Sequence, residues 1–166
     1  MSTKNLYSTE AKEKIKKMAE SIDYAMMATD LKSQPFHAVP MSTKEVDDDG
    51  NIWFLSNKNS THNQHIEKEN KTQLIYADKG NFEFLSIYGR AHISTDRRKI
   101  KELYGSGDDA WFDGEDDPNI TAIKVVPEDA HYWDTKNGKV LSLLKMAQGA
   151  ITGNEPDLGV QGDLKV

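Results

Sequence analysis

Residues 52–66 of the chain read IWFLSNKNSTHNQHI. The apolar run Ile52–Leu55 predicts a buried strand, and the polar turn after it leads into a short helix. A strand end followed by the N-terminus of a helix is a common phosphate-binding arrangement, because the first helical N–H groups have no partner within the helix. Ser60 and Thr61 can donate hydroxyl hydrogens, and His62 can supply positive charge. Since the turn contains no glycine, it predicts a phosphate site other than a P-loop.

The rest of the chain predicts about six strands and four helices. The strands are joined by hairpins rather than by helical crossovers, which favours a mainly β, antiparallel barrel with peripheral helices over a doubly wound parallel sheet. The turn Asp47–Asn51 joins two strands, and Gly89 predicts a bulge in the longest one. The predicted helices are Ser8–Ile22, Thr61–Glu69, Asp96–Tyr104 and Leu141–Ile151, and the extended segments are Tyr24–Thr29, His37–Val46, Asn51–Ser56, Thr72–Ala77, Phe82–Ser94, Ile120–Val126 and Ala130–Thr135.

Composition narrows the classes of function. The chain has 166 residues, which suits one domain spanning residues 1–166, and we expect loose ends at residues 1–7 and 153–166. Its net charge of -6 disfavours nucleic acid and anionic membranes as partners. The absence of cysteine excludes disulfides and thiolate chemistry. Since neither a signal peptide nor an apolar span of about 20 residues is present, we expect a cytoplasmic protein.

Three further patterns resemble binding motifs, but the residues around each of them argue against a binding site. The segment Gly105–Ala110 follows a predicted helix and carries two aspartates, which a pyrophosphate would repel. The acidic stretch Asp108–Asp117 lacks the spacing of a calcium loop, because the aromatic pair that starts at Trp111 interrupts it, and we expect a solvated loop whose two aromatic residues pack against some other group. His62 and His65 share a helix face, but no carboxylate or third histidine nearby in the sequence completes a metal site, so we predict none.

The sequence contains no nucleophile motif, no Walker sequence and no interpretable carboxylate pair. If the protein is an enzyme, a cofactor should therefore carry the chemistry. Tyr132 and Trp133 end a late strand, where two interpretations stay open. Either the rings pack in the core, or they form a wall beside a flat ligand ring.

A set of ordered marks runs through most of the chain. The marks are Pro40–Met41, Trp53–Phe54, Ser60, Tyr88–Ala91, Trp111–Phe112, Asp117–Pro118 and Tyr132–Asp134. In order and spacing they resemble the general stress protein 26 group of the pyridoxamine 5′-phosphate oxidase-like, FMN-binding split barrels. The resemblance extends from about Ile15 to Ile151.

The resemblance implies a split-barrel homodimer with flavin mononucleotide (FMN) at the interface between the subunits. It implies that the strand at Pro40 lines the flavin ring, that Ser60 and His62 hold the phosphate, and that Trp111 and Trp133 close the site from the second subunit. The implied cofactor contacts are Pro40, Met41, Ser42, Phe54, Leu55, Ser56, Asn57, Ser60, Thr61, His62, Trp111 and Trp133. No catalytic residue is implied.

Two residues depart from the pattern of that family. Val39 stands where an arginine is frequent, and His62 stands where a lysine is frequent. Because histidine is mostly neutral at neutral pH, the second change is expected to weaken phosphate binding by roughly 1 kcal/mol.

The resulting hypothesis is an FMN-binding general stress flavoprotein that acts as a flavin-dependent oxidoreductase. The alternatives are a non-catalytic flavin-binding or storage protein, pyridoxamine 5′-phosphate oxidase proper, and a barrel with an empty site. FAD or a deazaflavin could also replace FMN.

Overall fold

The computed structural model describes residues 1–135 and 159–166, which form one ten-stranded sheet and three α-helices. The helices are α1 (Ser8–Ile22), α2 (Thr61–Lys68) and α3 (Arg97–Leu103), and a short 3₁₀ helix covers Ser106–Ala110. The strands are β1 (Ser2–Thr3), β2 (Leu6–Tyr7), β3 (Tyr24–Thr29), β4 (His37–Ser42), β5 (Glu45–Val46), β6 (Ile52–Asn57), β7 (Lys71–Asp78), β8 (Glu83–Ser94), β9 (Ile120–Thr135) and β10 (Gly159–Lys165). The predicted helix Leu141–Ile151 lies outside the described residues. None of the described helices is long and apolar enough to cross a bilayer.

The long strand β9 organises the sheet. Its first half pairs with β6, most of its length pairs with β8, and its end pairs with β10. From β8 the sheet continues through β7 and β3 to β4, which comes back near β6 without pairing to it in the described residues. All of these pairs are antiparallel, while β1 and β2 join β10 in parallel. The predicted antiparallel split barrel with peripheral helices is therefore confirmed.

The core lies on the inner face of this sheet. Along β7, Leu74 and Tyr76 are fully buried, whereas the residues on either side of them point outward. This alternation is expected when only one face of a sheet is covered. The helix α1 contributes Ile15 and Met18 to the same core, while α3 packs over a smaller cluster at the start of β9.

The sequence predicts two separate strands where the structure has the single strand β9, so this prediction is wrong. The chain passes through Pro127 without leaving the sheet, and the register with β8 shifts between Tyr88 and Gly89. A Cβ at Gly89 would lie 2.2 Å from the carbonyl oxygen of Val126, so only glycine fits there. The predicted bulge at Gly89 is confirmed, and it is the bulge that lets one strand continue past a proline.

The prediction of loose chain ends is also wrong for the residues that the structure describes. Both ends pair with each other through β1, β2 and β10, and Tyr132 donates its hydroxyl to the carbonyl oxygen of Lys4 at 2.8 Å. Gly162 suggests a loose segment in sequence, but a Cβ there would lie 2.0 Å from the same Lys4 oxygen. This glycine reflects a close approach of two chain segments rather than flexibility.

Candidate functional site

The turn between β6 and α2 has the strand–turn–helix geometry that the sequence predicts. Ser60 is the N-cap of α2, and its Oγ accepts a hydrogen bond from the backbone N–H of Asn63 at 3.2 Å. Because Oγ acts as an acceptor there, the hydroxyl hydrogen of Ser60 remains available to a second group. Thr61 is exposed in the first turn of the helix and Ser60 is half-buried. The start of α2 therefore offers a hydroxyl donor together with the positive end of a helix dipole.

A closed polar triangle fixes this turn to the sheet. Ser56 Oγ donates to Asn63 Oδ1 at 2.7 Å, Asn63 Nδ2 donates to Thr121 Oγ1 at 2.9 Å, and the two hydroxyls of Ser56 and Thr121 lie 2.9 Å apart. All three residues are buried. Sequence reasoning placed Asn63 on a solvated helix face and missed the triangle. The signal that could have identified Asn63 is its position three residues before Ile66, on the buried face of α2.

Two histidines, His37 and His65, contact each other beside this turn, and His62 lies on the same helix as His65. His65 Nδ1 lies 3.1 Å from Thr29 Oγ1, and the rings of His37 and His65 are edge to face at 5.3 Å. Burial, followed by charge interactions with His37 and His65, lowers the pKa of His62 to about 4. His62 is therefore neutral at pH 7. His37 was not selected from the sequence, because it approaches α2 only through the pairing of β3 with β4.

The buried ring nitrogen Nε2 of His62 has no hydrogen-bond partner in the described residues. Buried polar atoms in proteins are nearly always paired, so this atom marks a place for a water or a ligand atom. It belongs to the first turn of the helix that Ser60 caps. In the described part of the chain, no cluster of three or more histidine and acidic side chains has an arrangement that could hold a metal ion.

The other predicted contacts divide between the core and the surface. Pro40 is exposed on β4, whereas the side chain of Met41 is buried and Ser42 donates to Asp23 Oδ1 at 2.8 Å. The side chains of Phe54, Leu55 and Ser56 are buried, and Asn57 is exposed at the end of β6. A ligand beside β6 would therefore meet mostly backbone, apart from Asn57. No measurement tests these individual roles, which stay predictions.

The outer face of the sheet is apolar. Met26, Ile75 and Phe84 have 43%, 49% and 40% of their surface exposed, and a groove of about 450 Å³ runs between Ile75, Phe84 and Trp133. Register places Met26 opposite Ile75 and Phe84 opposite Trp133 on this one face. Core packing, the first interpretation of residues 132–133, holds for Tyr132, whereas Trp133 lines the groove and its place beside a ligand ring stays a prediction.

The two aromatic residues of the acidic loop differ in how exposed they are. Phe112 is half-buried against the small cluster under α3, as expected. Trp111 is 81% exposed, so it has little packing contact on its own chain. The loop instead holds its shape through Arg97, which donates to the carbonyl oxygens of Glu115 and Asp117. Trp111 is left free to contact another molecule.

Comparisons with known proteins agree with this geometry. The sequence model described as pyridoxamine 5′-phosphate oxidase like matches residues 10–157. The structure resembles a crystal structure described as a putative general stress protein 26 from Jannaschia, with a TM-score of 0.76 and 25% identity over 95% of this chain and 98% of that one. It also resembles a general stress FMN/FAD binding protein from Xanthomonas citri, with a TM-score of 0.65 and 26% identity over 76% of this chain and 90% of that one.

Two relatives match the sequence of this chain over only part of their own length. The protein bli-3 of Neurospora crassa is 26% identical over 61% of this chain and 53% of its own length. General stress protein 26 of Bacillus subtilis is 28% identical over 36% of this chain and 43% of its own length. The chain therefore spans about half the length of the curated relatives it matches. With a family match over most of its length and a split barrel that superposes on those neighbours, the chain belongs to the pyridoxamine 5′-phosphate oxidase-like family.

Proposed function

We propose that this protein binds FMN, with the flavin phosphate at the start of α2, and that it serves redox chemistry at the bound flavin. The observation that carries this proposal is the buried Nε2 of His62, which has no partner among the described residues and lies in the first turn of the helix that Ser60 caps. The family membership and the FMN/FAD binding protein among the structural neighbours support the same cofactor. FAD stays the alternative ligand.

The phosphate would be held by three kinds of donor. The hydroxyl of Ser60 would donate one hydrogen bond, the first backbone N–H groups of α2 would donate others, and the imidazole of His62 would add a further donor. The helix dipole favours the negative charge at this end. The polar triangle of Ser56, Asn63 and Thr121 keeps these donors in place against β6 and β9.

The flavin ring would lie along β4 and the end of β6, where Pro40 and Asn57 are exposed. Register joins Pro40 to Met26, Met26 to Ile75, Ile75 to Ser86 and Ser86 to His131 across the outer face. These four strand steps correspond to roughly 19 Å along the sheet. The distance between β4 and Trp133 supports a dimer in which Trp133 reaches the flavin of a second copy.

The exposed apolar face supports the same dimer. An outer face that exposes Met26, Ile75 and Phe84 in one continuous patch is typical of a protein interface. Trp111, which projects from its own chain, would add a second aromatic wall. Both tryptophans would exclude water from the ring.

Bound FMN supplies hydride or electron transfer at its ring, and the protein contributes position and water exclusion. The arginines make pyridoxamine 5′-phosphate oxidase proper a weaker candidate, because a phosphorylated substrate would need basic groups over the flavin. Arg90 pairs with Glu128, Arg97 binds carbonyl oxygens of the acidic loop, and the Arg98 side chain is exposed on α3.

The first test is a titration of the purified protein with FMN, FAD and riboflavin, followed by quenching of tryptophan fluorescence. We expect saturable quenching, with FMN binding at least about tenfold more tightly than riboflavin, since charge-assisted hydrogen bonds contribute roughly 1.5–3 kcal/mol. If none of the three flavins binds, the proposed function is wrong.

Variants at the start of α2 test the phosphate assignment. Replacing Ser60 and His62 together by alanine should weaken FMN binding strongly and leave riboflavin binding and the dimer unchanged. Because Ser60→Ala also removes an N-cap, Ser60→Asp is the matched variant, since aspartate caps equally well and repels the phosphate. Equal FMN affinity in Ser60→Asp and the wild type would exclude this position for the phosphate.

Reduction of the bound flavin separates an enzyme from a storage protein. We expect NADH or NADPH to bleach the flavin absorbance and an added electron acceptor to restore it repeatedly. A flavin that binds tightly and is not reduced by either nicotinamide would assign the protein to flavin binding or storage.

A further inference from the structure

We propose that Ser86 and His131 recognise the imide edge of the flavin ring, the C(=O)–NH–C(=O) side of its pyrimidine part, in the groove beside Trp133. This inference rests on the proposed function and deepens it, because it names the residues that would distinguish a flavin ring from other flat aromatic rings. The groove is thereby assigned one occupant, the isoalloxazine ring of the flavin that a second copy of the chain holds.

A hydrogen bond fixes which nitrogen of the His131 ring carries hydrogen. Nδ1 lies 2.8 Å from Oδ1 of Asp163 on the neighbouring strand β10, and the register pairs these two residues directly. An ionised carboxylate only accepts hydrogen bonds, so Nδ1 carries the hydrogen of the neutral ring. The distal nitrogen Nε2 is then an acceptor, and no group in the described part of the chain donates to it.

The residue opposite His131 on β8 is Ser86, which has the complementary role. Gln73 donates its Nε2 hydrogen to Ser86 Oγ at 2.9 Å, so this oxygen already accepts one hydrogen bond. The hydroxyl hydrogen of Ser86 therefore remains available to a further group. Opposite residues on antiparallel strands have Cβ atoms about 4.5–5.5 Å apart on the same face of the sheet. The outer face thus presents one donor and one acceptor side by side.

These two polar groups border an apolar surface. The rings of His131 and Trp133 contact each other, with centroids 4.5 Å apart and planes tilted by 57°. Trp133 lies opposite Phe84, and the groove of about 450 Å³ that these two residues line also includes Ser86. A flat ring in this groove would pack against the two aromatic residues and present one edge to the donor and the acceptor.

The imide edge of a flavin has the matching pattern. Its N3–H would donate to His131 Nε2, and an adjacent carbonyl oxygen would accept from the Ser86 hydroxyl. When a second subunit covers the outer face, both protein groups lose contact with water, and a buried donor or acceptor without a partner is destabilising. A flat ring without this edge would leave both unpaired, so the pair selects against it.

The test compares lumiflavin with 3-methyllumiflavin, which has a methyl group in place of the N3 hydrogen. Both rings lack the ribityl phosphate, so the phosphate end of the site does not enter the comparison. Titrations followed by tryptophan fluorescence at pH 8, where an ordinary histidine is neutral, should show lumiflavin binding about tenfold more tightly, since methylation leaves the acceptor unpaired. Equal affinity of the two rings would overturn the inference.

Variants assign the preference to the two residues. His131→Phe keeps a ring against Trp133 and removes the acceptor, so the affinity ratio should fall to about one, whereas His131→Gln keeps an acceptor oxygen and should retain part of the preference. Ser86→Ala should weaken both rings by the same factor, because methylation spares the carbonyl oxygens. His92→Phe, which changes an exposed histidine elsewhere on β8, is the matched control. A tenfold ratio that persists in His131→Phe contradicts the assignment.

A spectroscopic measurement tests Asp163 as a positioning residue. The ¹⁵N resonances of His131 should show the hydrogen on Nδ1 in the free protein, and the Nε2 resonance should shift with lumiflavin and not with 3-methyllumiflavin. Asp163→Ala should let both tautomers of His131 populate and lower the preference for lumiflavin in parallel. An Nε2 resonance that lumiflavin leaves in place would rule out the contact.

The outcomes for the inference and for the proposed function are distinguishable. If FMN binds more tightly than riboflavin and the N3 methyl group has no effect, the proposed function stands and only the role of Ser86 and His131 fails. If neither FMN nor lumiflavin binds, both fail. Uridine has the same imide edge on one small ring and should bind at least about tenfold more weakly than lumiflavin, since it covers less of the two aromatic residues. Equal affinity would assign the groove to pyrimidines instead of a flavin.

Discussion

At the scale of single residues, the sequence was informative where one backbone position has a strict steric demand. Gly89 interrupts a long apolar strand pattern, and a bulge follows from that observation alone. His37 and Asn63 gave no comparable signal, because their roles depend on partners from other elements, namely β3, β6 and β9. Residues whose function comes from long-range pairing are therefore the ones that sequence reasoning missed.

The bulge gives a prediction about stability. Gly89→Ala should lower the free energy of unfolding by about 1–3 kcal/mol, since a methyl group would meet the carbonyl oxygen of Val126 and either the bulge or β9 must shift. Gly107→Ala is the control, because no atom lies within 4 Å of a Cβ built there. Urea unfolding of the two variants measures the difference, and equal stability would mean that the bulge yields without cost.

At the scale of elements, hairpins and helices were predicted with nearly correct bounds because their signals are local. The turn between β5 and β6 shows why. Asp47 accepts hydrogen bonds from the backbone of Asp49 and Asn51 and from the indole N–H of Trp53, so the turn residues satisfy one another. By contrast, β10 has no local signal, since its pairing with β9 and with both N-terminal strands supplies its order.

Asp47 predicts an acid sensitivity of this hairpin. Burial alone would raise the pKa of Asp47, but hydrogen bonds from Trp53, Asn51 and Asp49 together lower it. A carboxyl group with a lowered pKa stabilises the fold above its unfolded value of about 3.9, and this stability disappears as the pH falls through the lower folded value. Asp47→Asn should therefore be less stable at pH 6 and lose less stability below pH 4. Asp48→Asn, an exposed change in the same turn, is the control in urea unfolding at both pH values.

The polar triangle predicts how firmly α2 is attached to the sheet. Asn63→Ala removes two buried hydrogen bonds to Ser56 and Thr121 and should cost about 1–3 kcal/mol in the free energy of unfolding. Gln64→Ala, on the exposed side of the same helix, should change it by less than about 0.5 kcal/mol. If only Gln64→Ala lowered the free energy of unfolding, the polar triangle would not be what attaches α2 to the sheet.

At the scale of the whole molecule, the alternating pattern of the strands predicts a barrel and does not say which outer face is covered. The apolar residues of β3, β7 and β8 occur on both faces of the sheet. The composition of a strand therefore does not show which of its apolar residues face the core and which face outward. The register resolves this, because Met26, Ile75 and Phe84 then fall on one side with Trp133 at the end. A sheet with two apolar faces needs a cover on each, and α1 with the core covers only the inner one.

A second copy of the chain is the cover that we expect, and one substitution tests it. Ile75→Glu places a charge in the middle of the outer face, where burial against an identical face would bring two like charges together without solvent. Sedimentation or light scattering should show a dimer for the wild type and a monomer for Ile75→Glu. Tyr7→Glu, which changes an exposed residue on β2, should stay dimeric. If the dimer encloses the flavin ring, Ile75→Glu should also weaken riboflavin binding. Riboflavin binding that stays unchanged in a monomeric Ile75→Glu variant would mean instead that the flavin ring does not depend on this interface.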